Sequence, residues 1–306
     1  MNIKEQLDTK YYETKMLSVS SVKLFAQNPA RALDDWNGVY KWFSNKQELN
    51  FGNYVHSGIQ DALEDTDKYL KEFMNETPDM FTKAGTLLAK FRLADTVLNK
   101  FLSSATFKEL LEARNIYKMF VEKPFMSEYQ GIKYKGKIDL MFVDDKNKNI
   151  HCIDFKTSRP YAQNGIEWGT MLDGSQKKTS VAWHVEKLFP VQAGVYRQLL
   201  QDNGYSDYKI DYTYIVMTKE TSPRIDIWNI TDKAMNKGLD IFFENLVLAN
   251  KYITGQVVAP IIFDDSAWAH EKSLERPNVL LADLEDDDEE VLDYQEKEKK
   301  LFTGIV

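Results

Sequence analysis

Cysteine occurs once in the 306 residues, at Cys152. The chain can therefore form no internal disulfide and no thiolate cluster for a metal. No apolar run approaches the ~18–20 residues of a membrane span. The first residues, Met1-Asn-Ile-Lys-Glu-Gln-Leu-Asp8, contain no apolar signal segment, so a cytoplasmic protein without a membrane partner is expected. There is no Gly-x-x-x-x-Gly-Lys-(Ser/Thr) loop, which argues against a nucleotide-driven motor. Positive charge is not in excess either: the formal net charge is -8. Its distribution matters more than its sum. Asp283 to Lys300 holds ten acids and three lysines, which leaves the rest of the chain near neutral and leaves room for a local basic groove. What the chain does have is 43% hydrophobic and 28% charged residues, enough for a core in one large or two ordinary domains.

The most informative stretch runs from Tyr134 to Thr157. Two apolar runs of strand length flank the polar Asp144-Asp-Lys-Asn-Lys-Asn149, a β-hairpin pattern. Asp139 sits inside the first apolar run and Asp154 inside the second. Asp154 and Lys156 are two apart, so on a strand they share a face. A half-buried acid needs a partner, and a divalent cation is one that two carboxylates can share. An ammonium beside them can stabilise negative charge that develops in a reaction. The competing reading is a pair of core acids neutralised by Lys or Arg. Cys152, between them, suits a small apolar core position.

Around the hairpin the pattern is mostly helical. Ser20 or Ser21 is expected to cap a short helix through Val22, Phe25 and Ala26, broken at Asn28-Pro29 and restarted over Ala30 to Trp36, which includes Arg31. Phe51, Val55, Ile59 and Leu63 mark one helical face, with His56 beside it. Residues 83–103 read as one long helix through Leu87, Leu88, Phe91, Leu98 and Phe101. Tyr117 to Met126 reads as a strand that includes Glu122. Ser158 to Trp183 reads as a long irregular loop, with Lys177 and Lys178 available to phosphate and Trp168 or Trp183 to bases. The helix Pro190–Leu200 places Gln192 and Tyr196 on one face at i and i+4. Two strands, Ile210–Met217 and Arg224–Ile230, and a helix ending near Tyr252 follow. Residues 1–17 and 261–306 read as loosely ordered ends, the latter with seven acids between Asp283 and Glu290.

The run Gly136-Lys-Ile-Asp139, a turn, then Ile153-Asp154-Phe155-Lys156 resembles the active-site hairpin of the PD-(D/E)xK nuclease superfamily, with Ile138 where many members carry Pro. Gly52-x-x-x-His56, Glu122 and Gln192-x-x-x-Tyr196 stand in the order found in its RecB-like and RecE-like or lambda-type phage exonucleases. The serine-capped first helix is also similar. The resemblance covers roughly residues 18–250, within a nuclease domain expected over residues 18–260. It implies an α/β (α+β) fold with a restriction-endonuclease-like core: a mixed four-stranded sheet flanked by helices, in the order α-β-β-β-α-β. It implies Mg²⁺, with Mn²⁺ able to substitute, held by Asp139, Asp154, the Phe155 carbonyl, His56 and Glu122. Lys156, Gln192 and Tyr196 would complete the catalytic set. Ser20, Arg31, Thr157, Lys177 and Lys178 would meet DNA. It further implies a trimeric or tetrameric ring on duplex ends, a single-strand annealing protein as partner, and a bacterial or phage-infected host. One branch of the superfamily carries an iron–sulfur cluster on four cysteines, which a single Cys excludes. An endonuclease or repair nuclease of the same fold, and a catalytically silent DNA-binding protein, are the competing readings.

Overall fold

The computed structural model describes residues 11, 13–41, 46–160, 164–170, 176–182, 189–262 and 268. Its centre is a six-stranded mixed sheet. The strands are β1 (Leu17–Ser18), β2 (Lys118–Tyr129), β3 (Ile132–Asp144), β4 (Asn149–Ser158), β7 (Lys209–Thr218) and β8 (Ile225–Ile230). A separate ribbon, β5 (Asn164–Thr170) and β6 (Gln176–Ala182), lies between β4 and β7 in sequence. The helices are α1 (Val19–Gln27), α2 (Pro29–Trp36), α3 (Lys46–Glu64), α4 (Lys68–Glu76), α5 (Arg92–Leu102), α6 (Ala105–Ile116), α7 (Phe189–Leu200) and α8 (Asp232–Ile253).

The hairpin β2–β3 closes through Gln130 and Gly131, both at positive φ (50° and 79°), the conformation that matches the twist of paired strands. Hairpin β3–β4 closes through Asp144, whose carboxylate accepts from the backbone N–H of Lys146 (3.1 Å) and Asn147 (3.0 Å). β4 and β7 then pair in parallel, with α7 as the crossover, so β2, β3, β4, α7 and β7 reproduce the expected β-β-β-α-β order. β1 and β8 extend the sheet beyond the expected four strands.

Each face of the sheet has its own core. On one, Ile138, Met141, Val143, Ile150, Cys152, Tyr212 and Val216 pack against α1, α7 and α8. On the other, Leu140, Phe142, Ile153, Phe155, Ile215 and Met217 pack against α3, α5 and α6. The α3 stripe Val55, Ile59 and Leu63 is fully buried there. Helices α7 and α8 touch backbone to backbone: a Cβ on Gly194 would lie 2.2 Å from the Met235 carbonyl oxygen, and one on Gly238 2.3 Å from that of Pro190. Among the described residues, no helix is long and apolar enough to cross a membrane.

Four elements differ from the sequence expectation. The first helix is capped by Ser18, not Ser20 or Ser21. Ser18 is extended (φ -137°), its Oγ accepts from the Ser21 N–H (3.3 Å), and Ser21 Oγ accepts from the Ser18 N–H (2.7 Å), a reciprocal capping box. The helix expected over 83–103 is confined to Arg92–Leu102 plus one preceding turn of 3₁₀ helix. Gly85 at φ 78° turns the chain, and Leu87 bridges to Phe81. The expected loop after Thr157 contains the β5–β6 ribbon. Finally, two described residues of the expected loose end contact the body: the Ile262 carbonyl accepts from Asn28 Nδ2 (2.7 Å), and buried Trp268 donates to Asp34 (2.8 Å). The acidic run Asp283–Glu290 lies outside the described residues.

Candidate active site

The sheet parts where the acids are. β3 pairs with β4 from Leu140 to Asp144 and with β1 at Tyr134 and Lys135, so its edge has no strand partner between. Asp139 and Asp154 stand at the fork. The Phe155 N–H, across the gap, donates to Asp139 Oδ2 (2.9 Å). On the other edge of β3 the ladder to β2 skips one pair, Glu122 opposite Asp139. Glu122 has φ 50°, a left-handed conformation uncommon for a non-glycine residue. The strands also exchange faces there: Ile138 and Phe125 pack in one core, while Leu140 and Val121 pack in the other. The left-handed Glu122 and the exchange of faces thus bring Glu122 and Asp139 to the same space.

Three elements bring donors to that space. His56 of α3, Glu122 of β2 and Asp139 of β3 present ligand atoms all within 4.8 Å of one another. His56 Nδ1 is 3.6 Å from Asp139 Oδ2, and its ring packs edge-on against Phe155. Asp154 is fully buried. Its Oδ2 accepts from Gln192 Nε2 and, at 3.3 Å, from the Tyr212 hydroxyl. Its Oδ1 contacts the Lys156 ammonium as an ion pair yet receives no aligned hydrogen bond. Lys137 pairs in the same way with Glu122. Gly136 makes room for Tyr196, since a Cβ there would lie 2.6 Å from the ring.

Electrostatics follow from this burial. Desolvation pushes the Asp154 carboxyl up to about 7, reinforced by Asp139. Desolvation also pushes Asp139 up to about 6, against the pull of Lys156. Burial opposes the charge on Lys156, but Asp154 and Asp139 outweigh it and hold the ammonium above its ordinary range. Burial, then Lys156, pushes His56 down, which favours the neutral imidazole that ligates metals. Burial raises the phenols of Tyr196, Tyr212 and Tyr214.

Two carboxylates and an imidazole with ligand atoms within 4.8 Å of one another fit a divalent cation. Carboxylate oxygens suit hard divalent cations.

The sequence-derived residues are not all together. His56, Glu122, Asp139, Lys156, Gln192, Tyr196 and Ser20 line one cleft of about 1090 Å³. Asp154 and Phe155 are buried outside that lining and touch it through Gln192 and Asp139. Arg31 lies outside that lining, its guanidinium over the Tyr40 ring at 5.5 Å. Thr157 is half-buried against α3, its Oγ1 3.5 Å from where a Cβ on Gly52 would stand. Lys177 and Lys178 are neighbours on β6, and their side chains lie outside the described residues. The sequence reading overlooked Lys135, Lys137 and Tyr11, which also line the cleft. The two lysines were legible: they sit four and two residues before Asp139, on alternate positions of one strand.

A family described as a PDDEXK-like domain of unknown function (DUF3799) matches residues 18–261. The chain belongs to this family. A crystal structure from Eubacterium rectale, described as "Putative exonuclease", is 19% identical over 89% of this chain and 93% of its own, with a TM-score of 0.63. That likeness shows this PDDEXK-like chain to have the same fold. A second structure, described as SSO0001, is 14% identical over 68% of this chain and 77% of its own. Its TM-score of 0.27 is too low to bear on the fold. No curated protein matches this PDDEXK-like domain.

Proposed function

We propose that this PDDEXK-like chain is a metal-dependent deoxyribonuclease that hydrolyses phosphodiesters of linear duplex DNA from an end. The observation that carries the reading is the fork in the sheet, which sets Asp139, Asp154 and Lys156 together beside Glu122 and His56 in a cleft. The description of the Eubacterium rectale neighbour favours the exonuclease mode. So does the order of His56, Glu122, Asp139, Asp154, Lys156 and Gln192-x-x-x-Tyr196.

Asp139, Glu122 and His56 would hold the cation, with Asp154 beside them. When bound, the ion supplies an acidified water and offsets phosphate charge. The protein's own part follows from the contacts. Asp154 fixes the ammonium of Lys156, whose side chain is 31% exposed and lines the cleft. From there Lys156 can donate to a nonbridging phosphate oxygen or orient the attacking water, and its positive charge opposes the charge that grows on the phosphate. Gln192 and Tyr212 hold Asp154 on its other oxygen, so the carboxylate cannot turn away. His56, neutral, keeps its ring fixed through the Phe155 backbone.

The test is an equimolar mixture of end-labelled linear duplex and covalently closed circle, incubated with Mg²⁺, with Mn²⁺, or with chelator. Metal-dependent loss of the linear species alone is expected. Equal attack on the circle would show an endonuclease, and no attack on either would return the chain to a silent DNA-binding role.

A further inference from the structure

Tyr11 to Met16 precede the span the family matches, yet Tyr11, Glu13, Thr14, Lys15 and Met16 all line the cleft. Thr14, Lys15 and Met16 also line a smaller hollow of about 440 Å³ behind it. The segment is therefore a wall with one side turned to the catalytic space. Lys135 fastens it. That side chain is only 6% exposed, and its ammonium donates to the carbonyls of Tyr11 and, at 2.8 Å, Thr14. Lys15 lies over the Trp36 ring at 5.0 Å, and β1 continues the segment into the sheet beside Tyr134 and Lys135.

The result is an aromatic ring placed in the cleft. The centre of Tyr11 is 4.1 Å from the Lys135 ammonium and 5.7 Å from that of Lys137. It also lies near enough to Tyr196 to act on that phenol electrostatically. Lys135, Lys137 and Asp139 occupy alternate positions of β3, so steps of about 7 Å lead from the ring's anchor to the carboxylate. The ring's anchor stands two such steps, about 14 Å along the strand, from Asp139, and its centre is 5.7 Å from Lys137, so it offers a nucleotide bound beside the reacting centre a stacking surface for the base and a cation for the phosphate.

We propose that Tyr11 is a substrate-positioning residue, on whose ring the base next to the scissile phosphodiester stacks, with Lys135 fixing the ring and Lys137 facing the phosphate. This rests on the nuclease reading above and names its substrate more closely. A base inside a duplex has both faces covered, so the ring accepts a terminal, frayed or single-stranded base. Lys137 pairs with Glu122 and lines the same cleft, where its ammonium would face the phosphate.

The full-length protein is mixed, in Ca²⁺, with oligonucleotides carrying 2-aminopurine at successive positions from one end. Quenching at one position near the end is expected for wild type and for Tyr11→Phe, and its loss is expected for Tyr11→Ala and for Lys135→Met. In Mg²⁺, Tyr11→Ala should raise KM about tenfold with kcat changed less, and Tyr11→Phe should restore it. Circular dichroism of each variant separates misfolding from loss of stacking. Because quenching needs no cleavage, the two readings fail separately. A wild type that shows position-specific quenching but never cleaves would overturn the nuclease reading and leave stacking intact. Quenching unchanged in a folded Tyr11→Ala, or a Tyr11→Ala enzyme as fast as wild type or faster, would overturn the proposal.

Discussion

Asp154 is constrained from several sides at once. It is fully buried, accepts from Gln192 and Tyr212, and faces Lys156. Its raised pKa carries a stability cost whose sign is definite. The protonated form is favoured in the folded state. That contribution is fully present below the unfolded value of 3.8 and is lost as pH rises to about 7. Asp139 acts in the same direction up to about 6. Metal-free protein should therefore melt higher at about pH 5 than at about pH 8, and added Mn²⁺ should close the gap by stabilising the charged forms. Differential scanning calorimetry with chelator and with metal checks both halves, and a metal-free midpoint that climbs between those pH values would contradict the assignment. Asp154→Asn removes the buried charge but keeps the shape. It should raise the metal-free midpoint by several degrees while lowering kcat by about 10³-fold or more, a trade of function for stability that a purely structural acid would not show. Under limiting metal, wild-type activity should fall as pH drops through 7 toward 6, because protons compete for the same oxygens.

At the scale of elements, the decisive events are the parting of β3 from β4 and the close crossing of α7 on α8. The crossing is easily probed. Gly194→Ala would press a methyl into the Met235 carbonyl, which is backbone and cannot step aside. About 2–3 kcal/mol of lost stability is expected, read from denaturant titration. Gly136→Ala would instead meet the Tyr196 ring and Leu199 side chain, so a smaller stability loss with a larger loss of activity should follow.

These elements also mark where the sequence was legible. The hairpin, the α3 stripe and the Gln192–Tyr196 face follow from local periodicity, and the motif order carried the fold. What could not be read were features made by distant parts. The left-handed Glu122 that switches the face of β2 and β3 leaves their apolar alternation looking ordinary. Ser18 outranked Ser20 as cap because strand β1 had already fixed it in an extended conformation. Gly85 interrupted a run of helical spacing that nothing in the apolar pattern interrupts. Tyr11 is held at the cleft by Lys135, more than a hundred residues on, which donates to its carbonyl.

On the scale of the whole molecule, an enzyme that acts from a duplex end gains processivity if a closed ring retains the product strand, and identical subunits close a ring through heterologous contacts. We expect a trimer or tetramer, visible as its mass in light scattering and as processive shortening of long duplex in the presence of competitor ends. A monomer that releases its substrate after each cut would remove the ring from the account without touching the site. The acidic segment Asp283–Glu290 is expected to keep nonspecific DNA off the cleft or to dock a single-strand annealing partner. Truncation after Leu281 should raise nonspecific DNA affinity or abolish that docking, and no change in either would reduce the segment to a solubility element.

The measurement nearest the central claim is cleavage of linear duplex labelled at each end in turn, by wild type, Asp139→Asn and Lys156→Met, with Mn²⁺ and with chelator. The account predicts mononucleotide or short products from wild type in Mn²⁺ only, with both variants reduced at least about 10²-fold while remaining folded. Cleavage by wild type in chelator, or an Asp139→Asn variant as active as wild type, would contradict it.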